Sequence, residues 1–135
     1  VLLDSSLKLL RMAKKRMKNL NGVLPDTMVF LQGDALQLPF RSRCFQTIIS
    51  LNLIHVIQDV SLLLSEVKRI LRQNGHLLAT TLVRNQRVTD RYLAMWEEKG
   101  ELFSRDISEL CNAFNQKKMP IEYRLSGNMA FIFSK

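Results

Sequence analysis

The chain has 135 residues, 47% of them hydrophobic, and carries 20 Lys and Arg against 12 Asp and Glu for a net charge of +8. That length supports one ordinary core, no apolar stretch reaches the ~20 residues a bilayer-spanning helix needs, and the start does not read as a signal segment. Cys44 and Cys111 are too few and too separated for a disulfide scaffold and form no metal-ligand spacing with His55 and His76, so no metal is expected. The thiols point to a reducing, cytoplasmic setting.

Val1-Leu2-Leu3 reads as a strand ending on Asp4, after which Ser6 offers an N-cap to a helix over Leu7 to Leu20. Leu7, Leu10, Ala13, Met17 and Leu20 recur at helical spacing and are expected to face inward. Lys8, Arg11, Lys14, Lys15, Arg16 and Lys18 take the solvent side. No aromatic residues interleave with them, so a solvated face is favoured over a nucleic-acid partner. Asn21-Gly22 closes the helix in a left-handed turn. After Pro25-Asp26, Met28 to Leu31 is a strand that stops at Gly33-Asp34. Leu36 to Arg43, interrupted by Pro39, is a loop.

Phe45 to Leu53 is read as a run of mostly apolar or β-branched residues, the pattern of a strand covered on both faces. Asp59 or Ser61 caps a helix reaching about Arg72, with Leu63, Val67, Ile70 and Leu71 as its buried stripe, Glu66 pairing with Arg69, and a left-handed exit at Asn74-Gly75. His76 to Val83 is the next strand. Two helices follow, from Gln86 to Lys99 and from Ser104 onward, the second with Ile107, Leu110, Cys111 and Phe114 on one face. Ile121, Tyr123 and Leu125 alternate with polar residues, Gly127-Asn128 signals a hairpin, and Met129 to Phe133 returns as a strand.

Strands alternating with helices predict one α/β domain over residues 1–135, a doubly wound, mostly parallel sheet ending in an antiparallel hairpin. Asp4 and Asp34 end successive strands. A carboxylate at such a tip accepts hydrogen bonds from ribose hydroxyls or from the exocyclic amine of a purine, and two of them imply a nucleoside pocket. Either acid alone would read as an ordinary turn former.

Four segments carry a family resemblance: Asp4-Ser5-Ser6 through Met12-Ala13, Gly33-Asp34-Ala35 with Leu38-Pro39-Phe40, Phe45 to Ser50 through Asn52 and His55, and Glu66 to Gly75. In order and spacing they resemble the class I S-adenosylmethionine-dependent methyltransferases, in the subgroup of small-molecule and quinone-type enzymes. The resemblance implies a Rossmann-like sheet with the terminal hairpin as its antiparallel edge, S-adenosylmethionine as cofactor, and a small-molecule methyl acceptor. It implies Asp4 on the cofactor ribose, Asp34 on the adenine amine, the Ala35 N–H on an adenine nitrogen, and Asn52 at the methionine end. His55, on the loop where family members contact the acceptor, is the candidate orienting group or base, against a packed or solvent-facing role.

Three departures from the family pattern stand out. Gln46 replaces a frequent Asp, and Gln73-Asn74 replaces a Pro-Gly pair. The family's first strand and glycine-rich loop do not precede Val1, so the chain is read as N-terminally truncated, with a broken central ladder. The competing reading is a non-catalytic methyltransferase-like interaction module or inactive fragment; a dehydrogenase is disfavoured by Leu38-Pro39-Phe40 and the hairpin. Arg84, Arg87, Arg91, Tyr92 and Trp96, in the stretch to Arg105 where the family selects its acceptor, point to an anionic or aromatic acceptor against a merely solvated lid.

Overall fold

The computed structural model describes the backbone of residues 1–85 and 87–135, and their side chains except those at 21, 87 and 88. The chain forms two compact units, Val1–Pro39 and Phe40–Lys135.

The first unit is a strand-helix-strand motif: β1 (Leu2–Asp4), α1 (Leu7–Asn21) and β2 (Phe30–Gln32). The strands are parallel, with Leu2 opposite Phe30 and Asp4 opposite Gln32, and α1 is the crossover such a pair requires. Ser6 adopts the extended conformation of an N-cap and its Oγ accepts the Leu9 N–H at 3.3 Å. The strand expected from Met28 begins at Phe30, because the Met28 N–H is held by Pro25 O inside the preceding turn. Of the inward stripe, Leu10 is buried and Ala13 and Met17 are half-buried, but Leu7 and Leu20 are exposed. The reason is length: a helix of 15 residues runs about 22 Å, whereas three-residue strands run about 10 Å and cover only its middle.

The second unit contains β3 (Phe45–Leu51), a single 3₁₀ turn (Ile54–Val56), α2 (Val60–Ile70), β4 (Leu71–Leu82), α3 (Arg87–Glu98), α4 (Ile107–Gln116), β5 (Ile121–Ser126) and β6 (Met129–Ser134). Its sheet runs β3-β4-β6-β5, parallel across the first pair and antiparallel thereafter. Leu77, Ala79 and Thr81 of β4 and Ala130, Ile132 and Ser134 of β6 are buried on one face, together with Leu63, Leu64 and Val67 of α2 and Leu110 and Phe114 of α4. The other face holds Ile49, 62% exposed, and Leu51, 67% exposed. The strand expected to be covered on both sides is therefore covered on one, because the helices packed on the sheet share that side.

Helix α2 ends at Ile70, and the left-handed exit expected at Asn74-Gly75 is absent: Leu71 is already extended at φ −74° and ψ 137°. No glycine cap is needed, because Arg43 and Cys44 donate their N–H groups to the Arg69 and Ile70 carbonyls at 2.9 Å each. Gly75 lies in β4, beside an irregularity in which Phe45 pairs with Leu71 while Thr47 pairs with His76. A Cβ there would fall 2.9 Å from Gln46 O and 2.8 Å from the Leu71 side chain. The substitution Gly75→Ala is expected to cost about 1–3 kcal/mol, since a backbone atom must move, and urea unfolding measures it. Gln46 suits the same place: its Nε2 donates to Asn74 O at 2.7 Å.

Gln86, the expected start of the third helix, lies outside the described residues. Helix α4 starts at Ile107 rather than Ser104, because the Ser104 N–H and Oγ both donate to Glu97 Oε1 at 2.7 Å, while Asp106 and Glu109 form a reciprocal capping box. The hairpin turns at Gly127, whose φ of 58° favours glycine. Asn128 is buried behind it, donating to Val83 O at 2.7 Å and Asp90 Oδ1 at 2.8 Å.

Candidate functional site

In the first unit the two acids stand at the carboxyl ends of neighbouring parallel strands. Asp4 is the last residue of β1, opposite Gln32, and Asp34 lies two residues beyond that register partner. Each acid turns the chain in the same way. Asp4 Oδ1 accepts the Ser6 N–H at 2.7 Å, and Asp34 Oδ1 accepts the Leu36 N–H at 2.8 Å. These are Asx turns, in which a side-chain oxygen replaces a backbone carbonyl and fixes the carboxylate plane. The second oxygen of each acid makes no hydrogen bond among the described residues, and neither does the Ala35 N–H.

Further support comes from the turn itself. The Gly33 N–H donates to Asp4 O at 3.1 Å, the Gln37 N–H to Asp34 O at 3.2 Å, and Gln32 Nε2 to Ser5 O at 3.0 Å. The strand ends thus present two preset carboxylate acceptors and a donor one residue after the second. Gln32 was not singled out from the sequence, and its only signal is its position one residue before Gly33-Asp34.

In the second unit Asn52 follows β3 with φ 53°, a left-handed conformation that Asn tolerates better than most residues. Its N–H donates to Thr80 O at 2.9 Å, and Thr80 Oγ1 donates to Asn52 Oδ1 at 3.3 Å. The carboxamide is therefore oriented by β4, with Nδ2 making no hydrogen bond among the described residues. Thr80 is a partner that sequence reasoning missed, because only the β3–β4 register brings it beside Asn52.

His55 sits in the 3₁₀ turn and is only 8% exposed. Its Nδ1 accepts the Leu82 N–H at 3.1 Å and lies 3.1 Å from Thr81 Oγ1, so the proton of the neutral ring sits on Nε2. Its carbonyl accepts the Phe103 N–H at 2.7 Å. Arg105 fastens the same turn, donating to Ile57 O at 3.1 Å, Gln58 O at 2.8 Å and Phe103 O at 2.7 Å. Burial pushes the His55 pKa below its ordinary 6.5.

The unfolded chain thus takes up a proton at a higher pH than the folded one. The His55 contribution to stability is present in full above pH 6.5 and is lost as pH falls through the lower folded value. Urea titrations at a series of pH values between about 7.5 and 5 are expected to show stability falling toward acid, with a shallower slope in His55→Asn, which keeps an acceptor but does not titrate.

Of the stretch expected to meet an acceptor, Arg84 is engaged elsewhere, paired with Glu109 at 2.6 Å. Tyr92 and Trp96 form an edge-on ring pair with centroids 6.0 Å apart on α3, and Lys99 Nζ stands 4.8 Å from the Trp96 centroid. Arg91 is exposed on the same helix, and the Arg87 side chain lies outside the described residues. Among the described residues no helix is long and apolar enough to cross a membrane, and no group of three His, Cys, Asp or Glu is placed to hold a metal ion.

Residues 1–79 match the family described as Methyltransferase domain. A demethylmenaquinone methyltransferase of Thermotoga maritima is 34% identical over 111 residues, covering 77% of this chain and 45% of that protein. A phthiotriol/phenolphthiotriol dimycocerosates methyltransferase of Mycobacterium ulcerans is 40% identical over 53 residues, covering 39% of this chain and 20% of its own length. The chain thus spans less than half the length of either. Among solved structures, an S-adenosylmethionine dependent methyltransferase from Mesorhizobium loti superposes with a TM-score of 0.75 at 18% identity, covering 98% of this chain and 77% of that one, a likeness of fold.

Proposed function

The chain belongs to the methyltransferase domain family, and from that premise we propose that it serves methyl transfer from S-adenosylmethionine to a small-molecule acceptor. The observation that carries the reading is the pair of strand-end carboxylates, each locked through one oxygen with the other left over, beside the unbonded Ala35 N–H. Those groups fit an adenosine. Asp34 accepts the exocyclic amine, the Ala35 N–H donates to a ring nitrogen, and Asp4 accepts the ribose hydroxyls. Because the Asx turns orient the acceptors beforehand, little ordering remains to be done on binding.

When bound, the cofactor supplies a methyl group already activated on a positively charged sulfur, so the protein has mainly to position the acceptor in line with it. Asn52 Nδ2 is assigned to the methionine portion. The neutral His55, with its Nδ1 lone pair taken and its proton on Nε2, is assigned to orienting the acceptor by donating from Nε2 rather than to the base role. The name of the Thermotoga relative supports a quinone-type aromatic acceptor, and the pair of exposed Tyr92 with half-buried Trp96 suits stacking on such a ring. Cys44 and Cys111 are free thiols, which fits a cytoplasmic location.

Calorimetric titration of S-adenosylmethionine into the wild-type chain and into Asp34→Ala tests the reading. Saturable binding in the first and weakened binding in the second are expected. Absence of binding heat in the wild type, with a folded far-UV spectrum, would sink it.

A further inference from the structure

Helix α1 carries six cations, Lys8, Arg11, Lys14, Lys15, Arg16 and Lys18, and no acid. All six are exposed, and none is ion-paired among the described residues. Lys14 leans back over Phe30 of β2, 5.9 Å from the ring centroid, which marks the strand side of the helix together with Leu10. Away from that side the helix exposes Leu9 at 52% and Met12 at 58%. Their spacing of three residues puts them side by side on one ridge of the helix, with Arg16 one turn beyond Met12 on the same side. Lys8 and Lys15 border it.

We infer that α1 is an interfacial helix that docks this protein on the surface of an anionic lipid bilayer. Leu9 and Met12 enter the boundary between headgroups and acyl chains, while Lys8, Lys15 and Arg16, on the same side of the helix, meet the lipid phosphates, their long stems reaching back along the ridge. The helix lies in the membrane plane and does not span it. Charge supplies attraction to acidic lipid, and the apolar ridge supplies the insertion that charge alone does not. The same cations would also attract nucleic acid, but α1 offers no aromatic side chain for base stacking, and Leu9 and Met12 have nothing to bind on a phosphodiester backbone. The ridge decides for lipid.

Co-sedimentation of the full chain with vesicles tests this. Binding is expected to vesicles of about seven parts phosphatidylcholine to three parts phosphatidylserine and to fall at least ~10-fold on pure phosphatidylcholine. Raising salt from about 0.05 M to 0.5 M is expected to weaken it similarly. Lys15→Gln with Arg16→Gln is expected to lower partitioning by about 10- to 30-fold. Leu9→Ser with Met12→Ser is expected to lower it about 10-fold while leaving the thermal midpoint near the parent's, since both positions are exposed. Failure to pellet with the acidic vesicles at low salt, or unchanged pelleting of the Leu9→Ser, Met12→Ser variant, overturns the inference. Tighter binding to a mixed-sequence RNA than to the acidic vesicles, insensitive to that variant, also overturns it and assigns the helix to nucleic acid.

Discussion

Asp34→Ala is expected to raise the dissociation constant for S-adenosylmethionine by about 10- to 100-fold, the loss that follows from deleting one hydrogen bond to a charged acceptor. Two effects combine at this position. The substitution removes the acceptor assigned to the adenine amine, and it also removes Oδ1 from the Leu36 N–H, loosening the turn that holds the Ala35 N–H in place. Asp34→Asn separates them. Its side-chain oxygen still accepts from Leu36, so the turn survives, and the affinity is expected to fall between wild type and Asp34→Ala. Asp34 is exposed, so both variants should unfold near the wild-type temperature. Calorimetry reads the affinity and circular dichroism the fold. Equal affinity in all three proteins would remove Asp34 from the site.

Phe114→Ala is expected to be the most destabilising single change, costing about 3–5 kcal/mol of the roughly 5–15 kcal/mol that holds a domain folded. Phe114 is completely buried in α4, on the packed side of the β3-β4-β6-β5 sheet. The turn after it also depends on its place, since Phe114 O accepts the Lys117 N–H at 3.0 Å and the Met119 N–H at 3.1 Å. Removing the ring leaves a cavity among side chains anchored to a four-stranded ladder, which limits collapse. Urea unfolding followed by circular dichroism measures the loss. A cost below about 1 kcal/mol would mean that the core refills the space, contrary to the packing described.

Much of the local structure was legible in the residues. Ser6 caps the helix it was expected to cap, Asp59 rather than Ser61 caps α2, Glu66 and Arg69 pair at 2.7 Å, and Gly127-Asn128 turns the terminal hairpin. These features depend on groups within a few residues of one another, so spacing alone specifies them. The misreadings share the opposite cause. Asn74-Gly75 resembles a helix exit, yet the carbonyls such an exit would satisfy are taken by Arg43 and Cys44, far away in the chain. Leu7 and Leu20 keep the inward period but outreach the short strands beneath them.

Of the candidate site, Asp4 and Asp34 could be picked out because strand ends and turn formers leave a pattern in the sequence. What each carboxylate does with its two oxygens could not. The order of the elements, the caps, the hairpin and the acids at two successive strand tips follow from the residues alone, because periodicity and turn chemistry act over short separations. Long-range packing settles that Gly75 lies within a strand against Gln46, that Ile49 and Leu51 are exposed on one face of the second sheet, that Thr80 orients Asn52, and that His55 is buried with Nδ1 taken. Each of these depends on where distant backbone comes to rest, and close packing and hydrogen-bond saturation are properties of that assembled arrangement.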